Sequence, residues 1–309
     1  LWANHNAPGS SSHEDCLAVT RFWIDNYFKR PEHLMFEGKP VMIIFAPDRL
    51  TQDLGSEGVK RAFAAMREEC RRAGLPGLYL VACVGEVAGA RRATEETYDA
   101  VSAYNWPGLG MTGEGMYAPF EPLIEGFRRH WDHILAEQRL PLCPLPVCGG
   151  WDSRPWHGDN NLVRFGRTPE LFKRHLRDAR NLLESGRYQS APAKAILVEA
   201  WNEWGEGSYI EPHSEFGFGY LDAVREVFTD APSAHEDATP ADAGLGPYDV
   251  PAPETTRTAW EFERDEEAWI NVMQLADLKT AGGVLSARTT GTDPAFFSTA
   301  IHARASDFK

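Results

Sequence analysis

Two glutamates three residues apart, Glu203 and Glu206, are the side chains of this sequence whose types and spacing best suit chemistry. They follow the apolar run 195–198 and stand beside Trp201 and Trp204. Two carboxylates over one substrate can hold different protonation states, so that one acts as an acid while the other acts as a base or nucleophile. Glycosyl transfer is the reaction that uses such pairs most often. Because a solvated loop rarely combines carboxylates with tryptophan and glycine in this way, we predict that both glutamates are catalytic rather than helix-terminal charges or ion-pair partners.

Aromatic and polar side chains follow three earlier strand-like segments in the same manner. Their types suit a carbohydrate, because indole and phenol rings stack on sugar faces while amides and carboxylates bind hydroxyl groups. Asp152 and Arg154 could equally form a structural ion pair, and Glu199, which lies inside its strand, needs a partner there. The predicted substrate-binding residues are Trp2, Asn4, His5, Tyr104, Asn105, Trp151, Asp152, Arg154, Trp201, Asn202 and Trp204.

Other reaction chemistries have less support in the residue spacing. There is no Gly-x-Ser-x-Gly elbow, no cysteine with an evident histidine partner and no His-x-x-x-His among the ten histidines. The five cysteines are scattered, with no Cys-x-x-Cys, which indicates neither a disulfide framework nor a zinc site. We therefore predict no cofactor and no metal. The absence of Asp-x-Asp, with which many nucleotide-sugar transferases hold a metal–diphosphate, counts modestly against a transferase.

The net charge of −14 limits the partners that this chain of 309 residues can take. Nucleic acids and anionic membranes both need a basic protein surface, so neither is an expected partner. The expected partner is a carbohydrate substrate, an oligo- or polysaccharide, for which ten tryptophans and nine tyrosines supply stacking rings. No segment has transmembrane length, so membrane insertion is not expected. The expected compartment is extracellular or periplasmic, although no signal peptide is visible.

Strand-like and helix-like segments alternate along residues 1–228, which is the pattern of parallel strands joined by helices. No glycine-rich phosphate fingerprint follows a strand, whereas polar clusters follow at least four, which favours a (β/α)8 TIM barrel over an open doubly wound sheet. About six strands are identifiable, so we expect the first two of the barrel to precede Leu1. The expected strands lie at 1–4, 39–47, 77–84, 100–104, 144–148 and 195–199, and the expected helices at 13–29, 58–73, 119–138, 169–185 and 219–228.

The C-terminal part of the chain has a different pattern. Residues 229–256 are rich in Ala, Pro, Asp and Glu with little periodicity, which indicates a linker or an ordered loop. Short alternating runs separated by turn residues follow at 260–263, 269–272 and 283–290. Residues 257–309 are therefore predicted to begin a jelly-roll-like, carbohydrate-binding-like β-sandwich, which is truncated because a jelly roll needs more residues.

Four motifs resemble a known group of proteins. They are Trp2-Ala3-Asn4, Gly38-Lys39-Pro40, Gly150-Trp151-Asp152-Ser153-Arg154-Pro155 and Trp201-Asn202-Glu203-Trp204-Gly205-Glu206-Gly207-Ser208-Tyr209-Ile210-Glu211-Pro212. They resemble the WbsX-type proteins, a group similar to glycoside hydrolase family 99, and the resemblance spans roughly residues 1–228. It implies a (β/α)8 barrel. In family 99, which cleaves internal α-mannosidic bonds, the first Glu of the longest motif is a base on the sugar 2-hydroxyl that gives an epoxide-like intermediate, and the Glu three residues on is the general acid/base. The resemblance therefore implies these roles for Glu203 and Glu206.

The chain also differs from that family. Family 99 has a histidine where this chain has Gly205, and the linker and C-terminal segment do not belong to the endomannosidase pattern. WbsX-type proteins are often described as glycosyltransferases because of their place among polysaccharide-assembly genes. The leading hypothesis is a retaining, metal-independent glycoside hydrolase acting on α-linked glycans. The alternatives are a glycosyltransferase of surface-polysaccharide biosynthesis and a non-catalytic glycan-binding protein.

Overall fold

Strands and helices alternate along residues 1–233, the larger of the two units into which the computed structural model divides, and residues 234–309 form the other. The structure describes residues 1–4, 11–111, 115–137, 139–188, 191–234, 242, 259–264, 266, 269–291 and 293–298. The α-helices of the larger unit are α1 (His13–Trp23), which continues as a π-helix over Ile24–Phe28, α2 (Pro47–Arg72), α3 (Val87–Glu95), α4 (Glu121–Ala136), α5 (Arg154–His157), α6 (Pro169–Glu184) and α7 (Gly219–Phe228). Its strands are β1 (Met35–Phe36), β2 (Lys39–Ile44), β3 (Tyr79–Cys83), β4 (Ala100–Ser102), β5 (Tyr117–Pro119), β6 (Leu145–Cys148), β7 (Trp151–Asp152), β8 (Val163–Phe165), β9 (Ile196–Glu199), β10 (Asn202–Glu203) and β11 (Ser208–Tyr209).

The longer strands of this unit are parallel and adjoin one another in chain order. β2, β3 and β4 form one parallel set, and β6 pairs with β9 in another. Isolated parallel bridges from Trp2 to Ile44 and from Val101 to Leu142 extend the order at one end and join the two sets. This arrangement confirms the predicted α/β class with parallel strands. Closure into a (β/α)8 barrel stays a prediction.

Large buried side chains attach the helices to the parallel strands. Phe63 of α2, Phe127 and Trp131 of α4, Phe172 of α6 and Tyr220 of α7 are each at most 1% exposed. Aromatic side chains bury about 150–250 Å² apiece, so these five anchor four helices through the hydrophobic effect. β2 and β3 are buried along most of their length on both faces, as their continuous apolar sequences predict.

Helix α2 begins at Pro47, well before the predicted start at residue 58, and passes through a kink at Gly55. Gly55 has φ 66° and ψ 156°, a conformation outside the helical region that glycine adopts without strain. The interruption breaks the helical repeat of apolar residues. Sequence periodicity therefore identifies only the part of α2 that follows the kink.

Short extra pieces of strand extend the chain beyond the carboxyl ends of β6 and β9, where no hairpin is predicted. β7 pairs antiparallel with β8, β10 pairs antiparallel with β11, and β5 joins β8 in parallel. Each piece has two or three residues, too few for the alternation of apolar and polar residues by which strands are recognised. These pieces carry many of the predicted site residues.

The unit of residues 234–309 contains two antiparallel strand pairs. Its strands are β12 (Trp269–Met273), β13 (Leu275–Ala281), β14 (Val284–Thr289) and β15 (Ala295–Ser298), with β12 paired to β15 and β13 to β14. The ring of Trp269 contacts those of Trp260 and Phe296, with centroids 5.5 and 5.1 Å away. The predicted β-sandwich and its glycan-binding character stay predictions, and most of the predicted linker 229–256 lies outside the described residues.

Thr168→Ala is expected to lower the free energy of unfolding by about 1 kcal/mol. The Thr168 side chain caps α6, because its hydroxyl accepts a hydrogen bond from the amide of Leu171 at 3.2 Å. Urea denaturation measures the change. Thr168→Ser keeps the hydroxyl and should stay within about 0.5 kcal/mol of the wild type, whereas an alanine variant as stable as the wild type would contradict the cap.

Candidate functional site

A buried glutamate at the end of β9, Glu199, connects two of the segments that carry predicted site residues, the one after β4 and the one after β9. Glu199 is 3% exposed, and its Oε2 accepts hydrogen bonds from Asn105 Nδ2 at 2.5 Å and from Ser208 Oγ at 2.7 Å. Asn105 follows β4 and Ser208 begins β11. One carboxyl group at the end of β9 therefore links the loop after β4 to the start of β11. Oε2 of Glu199 thus has the partners that a polar atom inside a buried strand requires.

Burial raises the pKa of Glu199 from its ordinary value of 4.5 to about 8. Removal from water is the main cause, opposed by the hydrogen bond from Ser208 and reinforced by the nearby carboxylates of Glu206 and Glu203. The carboxyl group is therefore mostly neutral at neutral pH.

Glu206, the second glutamate of the motif, accepts a hydrogen bond from the Tyr104 hydroxyl at 2.7 Å. Tyr104 follows β4, and its ring meets that of Phe45 edge-on with centroids 5.0 Å apart. Burial is the main cause that raises the pKa of Tyr104, and the hydrogen bond to Glu206 is the second. The hydroxyl group therefore stays protonated and acts as a hydrogen-bond donor. The loop after β4 therefore contacts Glu199 through Asn105 and Glu206 through Tyr104.

Glu203 lies on a short β-hairpin, and Glu206 lies in the turn of the same hairpin, three residues further along the chain. Asn202 and Glu203 form β10, which pairs with β11, and both are exposed. Residues Trp204–Glu206 form a 3-10 turn, and Gly207 follows it with φ 62° in the left-handed region. A Cβ at position 207 would lie 2.5 Å from the Cβ of Asp152, so this position requires glycine both for its backbone conformation and for space.

Two tryptophans of this segment expose their indole rings. Trp201 is 52% exposed and Trp204 is 45% exposed. Trp204 stacks on Tyr209 with centroids 3.7 Å apart, and its Nε1 donates to the carboxylate of Glu211. The stack covers one face of the Trp204 ring, and the residue still exposes 45% of its surface. An exposed aromatic surface suits the faces of sugar rings.

Asp152 and Arg154 form the ion pair that the sequence left as one of two readings. Arg154 Nε donates to Asp152 Oδ1 at 2.8 Å and Nη2 donates to Oδ2 at 2.5 Å. These hydrogen bonds lower the pKa of Asp152. The two-point geometry fixes both side chains, while a contact of either with substrate stays a prediction.

A cavity of about 370 Å³ lies beside the hairpin, with Trp151 and Trp204 in its wall. Arg167 lines the same cavity and donates to the carbonyls of Gly149 at 3.2 Å and Tyr209 at 3.0 Å, with its guanidinium 3.8 Å from the centre of the Tyr209 ring. Arg167 is not among the predicted site residues. A single arginine in a polar segment before a helix carries no recognisable signal, because most such arginines lie on the surface.

The loop after β4 is held by a buried arginine of β8, Arg164, which is 2% exposed. Its guanidinium donates to the carbonyls of Pro107 at 2.7 Å and Pro119 at 3.3 Å, and also to that of Leu109. Burial lowers the pKa of Arg164, but a guanidinium keeps its proton at any ordinary pH and remains a donor. Arg164, also absent from the sequence prediction, thus fixes the loop that supplies Asn105 as a partner of Glu199.

The predicted site residues of the first segment make contacts within the fold. The Asn4 side chain donates to the carbonyl of Ala46 and accepts from its amide, both at 2.8 Å. Trp2 meets Trp23 edge-on with ring centroids 5.4 Å apart. His5 lies outside the described residues. The roles of these three residues in substrate binding stay predictions.

The part of the chain that the structure describes offers neither a metal site nor a membrane-spanning helix. No group of three or more His, Cys, Asp or Glu side chains in those residues could hold a metal ion. No helix among them is long and apolar enough to cross a membrane. The five cysteines are free thiols, four of them buried.

Comparisons with known proteins give one family and several similar chains. The family model described as "Glycosyltransferase WbsX" matches residues 10–224. The "Uncharacterized protein WxcX" of Xanthomonas campestris pv. campestris is 24% identical over 219 residues, which are 68% of this chain and 30% of that protein, so the chain spans less than a third of this relative. A solved "Glycoside hydrolase-like protein" has a TM-score of 0.53 and 18% identity over 71% of this chain and 61% of its own, which shows a shared fold. The GH99 endo-alpha-mannosidase from Bacteroides thetaiotaomicron has a TM-score of 0.49 and 16% identity over 71% of this chain and 62% of its own.

Glu199→Gln is expected to change how stability depends on pH. A carboxyl group whose pKa is raised on folding destabilises the protein as the pH rises, because the folded state keeps a proton that the unfolded chain releases. The stability of the wild type relative to the variant should therefore fall between pH 4.5 and about pH 8, by at most about 1.4 kcal/mol per pH unit.

Urea denaturation across this pH range measures the difference. Parallel pH curves for the two proteins would show that Glu199 is not a proton-holding group. As a second measurement, the infrared band of a protonated carboxyl group should be present in the wild type at neutral pH and lost in Glu199→Gln.

Proposed function

Because this chain belongs to the WbsX glycosyltransferase family, we propose that it is a carbohydrate-active enzyme that cleaves an α-linked oligo- or polysaccharide. The proposed reaction is hydrolysis with retention of the anomeric configuration, without a metal or cofactor, on a (β/α)8 barrel. Glu203 and Glu206 are its catalytic residues. The observation that carries this proposal is the hydrogen bond from Tyr104 to Glu206.

The unequal surroundings of the two glutamates support separate roles for them. Glu206 is partly buried and bound by the Tyr104 hydroxyl at 2.7 Å, whereas Glu203 is exposed on β10. A carboxyl group held by a fixed donor and one that is exposed to solvent can take different parts in one reaction. Glu199, mostly neutral at neutral pH because of its raised pKa, adds little negative charge beside them.

The proposed steps follow the resemblance to glycoside hydrolase family 99. Glu203 takes the proton of the sugar 2-hydroxyl while that oxygen bonds to the anomeric carbon, and Glu206 gives its proton to the departing glycosidic oxygen. The intermediate is an epoxide-like 1,2-anhydro sugar. Water then attacks the anomeric carbon, Glu206 takes the proton of the water, and Glu203 returns its proton to O2 as the epoxide opens. Two inversions at one carbon give retention, and both carboxyl groups regain their starting protonation.

The family description favours glycosyl transfer as a second function, and the proposed setting for it is surface-polysaccharide biosynthesis. A transferase of that kind would bind a sugar nucleotide. Calorimetry with a panel of sugar nucleotides distinguishes the two functions, since binding would support transfer and the absence of heat across the panel would count against it. A non-catalytic glycan-binding protein would bind polysaccharide without releasing new reducing ends.

Glu203→Gln and Glu206→Gln should each lower kcat on an α-linked polysaccharide by about 10²–10⁴-fold, the usual contribution of a general acid or base. Glutamine preserves the size of the side chain, so glycan binding should remain. Release of reducing ends by the full chain from a panel of α-linked polysaccharides measures turnover, and calorimetry measures binding.

Glu57→Gln is the matched control, because Glu57 is an exposed glutamate of α2 that pairs with Lys60. This control should cleave at the wild-type rate. Wild-type cleavage by both site variants would show that the catalytic assignment is wrong.

A further inference from the structure

A third tryptophan, Trp156, lies against the turn that joins the two glutamates. It belongs to the short helix α5 and is 60% exposed. Gly205 stands between Glu203 and Glu206, and a Cβ built on it would overlap the indole Nε1 of Trp156. The indole therefore occupies the space that a side chain at position 205 would need, and glycine is the residue that permits this approach.

The backbone that carries Trp156 is itself fixed to the hairpin. Gly207 packs so closely on Asp152 that a Cβ at position 207 would have no room. Arg154 pairs with Asp152 and lies 5.6 Å from the centre of the Tyr117 ring. Because these contacts hold the chain just before Trp156, its indole is placed before any ligand arrives, which reduces the entropy lost on binding.

The exposure of Trp156 is not explained by packing. Leaving apolar surface in water is unfavourable by about 25 cal/mol per Å², yet Trp156, Trp201 and Trp204 are 60, 52 and 45% exposed in this one region. Clustered exposed aromatic side chains mark binding sites. The carboxylates on the same turn disfavour an anionic ligand. A neutral pyranose, in contrast, has an apolar face that can stack on an indole, and its hydroxyl groups can donate hydrogen bonds to the carboxylates.

We propose that Trp156 is a sugar-stacking platform that forms one wall of a subsite beside Glu203 and Glu206, and that Gly205 gives the indole its place there. The ligand is a neutral pyranose unit of an α-linked glycan. This proposal rests on the proposed function, because it concerns the sugar next to the bond that the two glutamates would cleave. Trp156 is then a specificity-determining residue.

Trp156→Ala should raise both the Kd and the KM for the glycan about tenfold, the effect of losing roughly 50 Å² of apolar contact. It should change kcat by less than about threefold, because stacking binds the substrate and the transition state alike. Trp156→Phe should recover part of the affinity. Gly205→Ala should weaken binding to a similar degree because its methyl group displaces the indole, and the double variant should be no weaker than the poorer single variant.

The probes are yeast α-mannan, dextran and starch, tested with the full chain by affinity electrophoresis for binding and by reducing-end release for turnover. Phe22→Ala is the control, since Phe22 is 53% exposed on α1 outside the site, and it should bind as the wild type does. Thermal unfolding checks that each variant is folded, and Trp156→Phe provides the comparison if Trp156→Ala is not.

The outcomes separate this proposal from the proposed function. Binding that depends on Trp156, with cleavage unaffected in Glu203→Gln and Glu206→Gln, would support the platform and refute the catalytic assignment. Unchanged Kd and KM in folded Trp156 variants, with the glutamine variants inactive, would overturn the platform alone. No binding of the wild type to any of the polysaccharides would overturn the platform as well.

Discussion

The hydrogen bonds of Glu199 hold the candidate site together. This one carboxyl group lies at the end of β9 and binds Asn105 after β4 and Ser208 at the start of β11. An ionised carboxylate in so buried a position would be strongly unfavourable, and two donors together with a raised pKa are what make the group tolerable there. The placement of the two glutamates on the hairpin therefore depends on a third glutamate that is hidden from solvent.

Close backbone approaches shape the region around this network. Gly207 allows the hairpin to pack on Asp152, and Gly205 allows it to pack on Trp156. Both contacts join the segment after β9 to the segment after β6, just as Glu199 joins the segment after β9 to that after β4. The candidate site is thus assembled from three strand ends, each fixed to another by a specific contact rather than by general burial.

The sequence predicts those parts of the molecule whose structure is determined locally. The bounds of α6 and α7 are predicted closely, because Thr168 and Pro169 mark the start of α6 and apolar residues repeat at helical spacing in both. β10, β11 and α5 are too short for apolar residues to repeat along them at a regular spacing. No pattern in the sequence therefore predicts these three elements.

The candidate site shows the same division. Glu203 and Glu206 are identified by their residue types, whereas the bond between Asn105 and Glu199 joins residues 94 positions apart, a relation that no local pattern contains.

Buried Arg164 illustrates what such hidden contacts mean for redesign. Changing the length or path of the loop after β4 would leave the buried guanidinium of Arg164 without its carbonyl acceptors. The free energy of unfolding would then fall by several kcal/mol. No side chain of α5 is buried, so substitutions there disturb the fold less. On the proposed role of Trp156, both natural divergence and an engineer's library should therefore reach new sugar preferences most readily on α5.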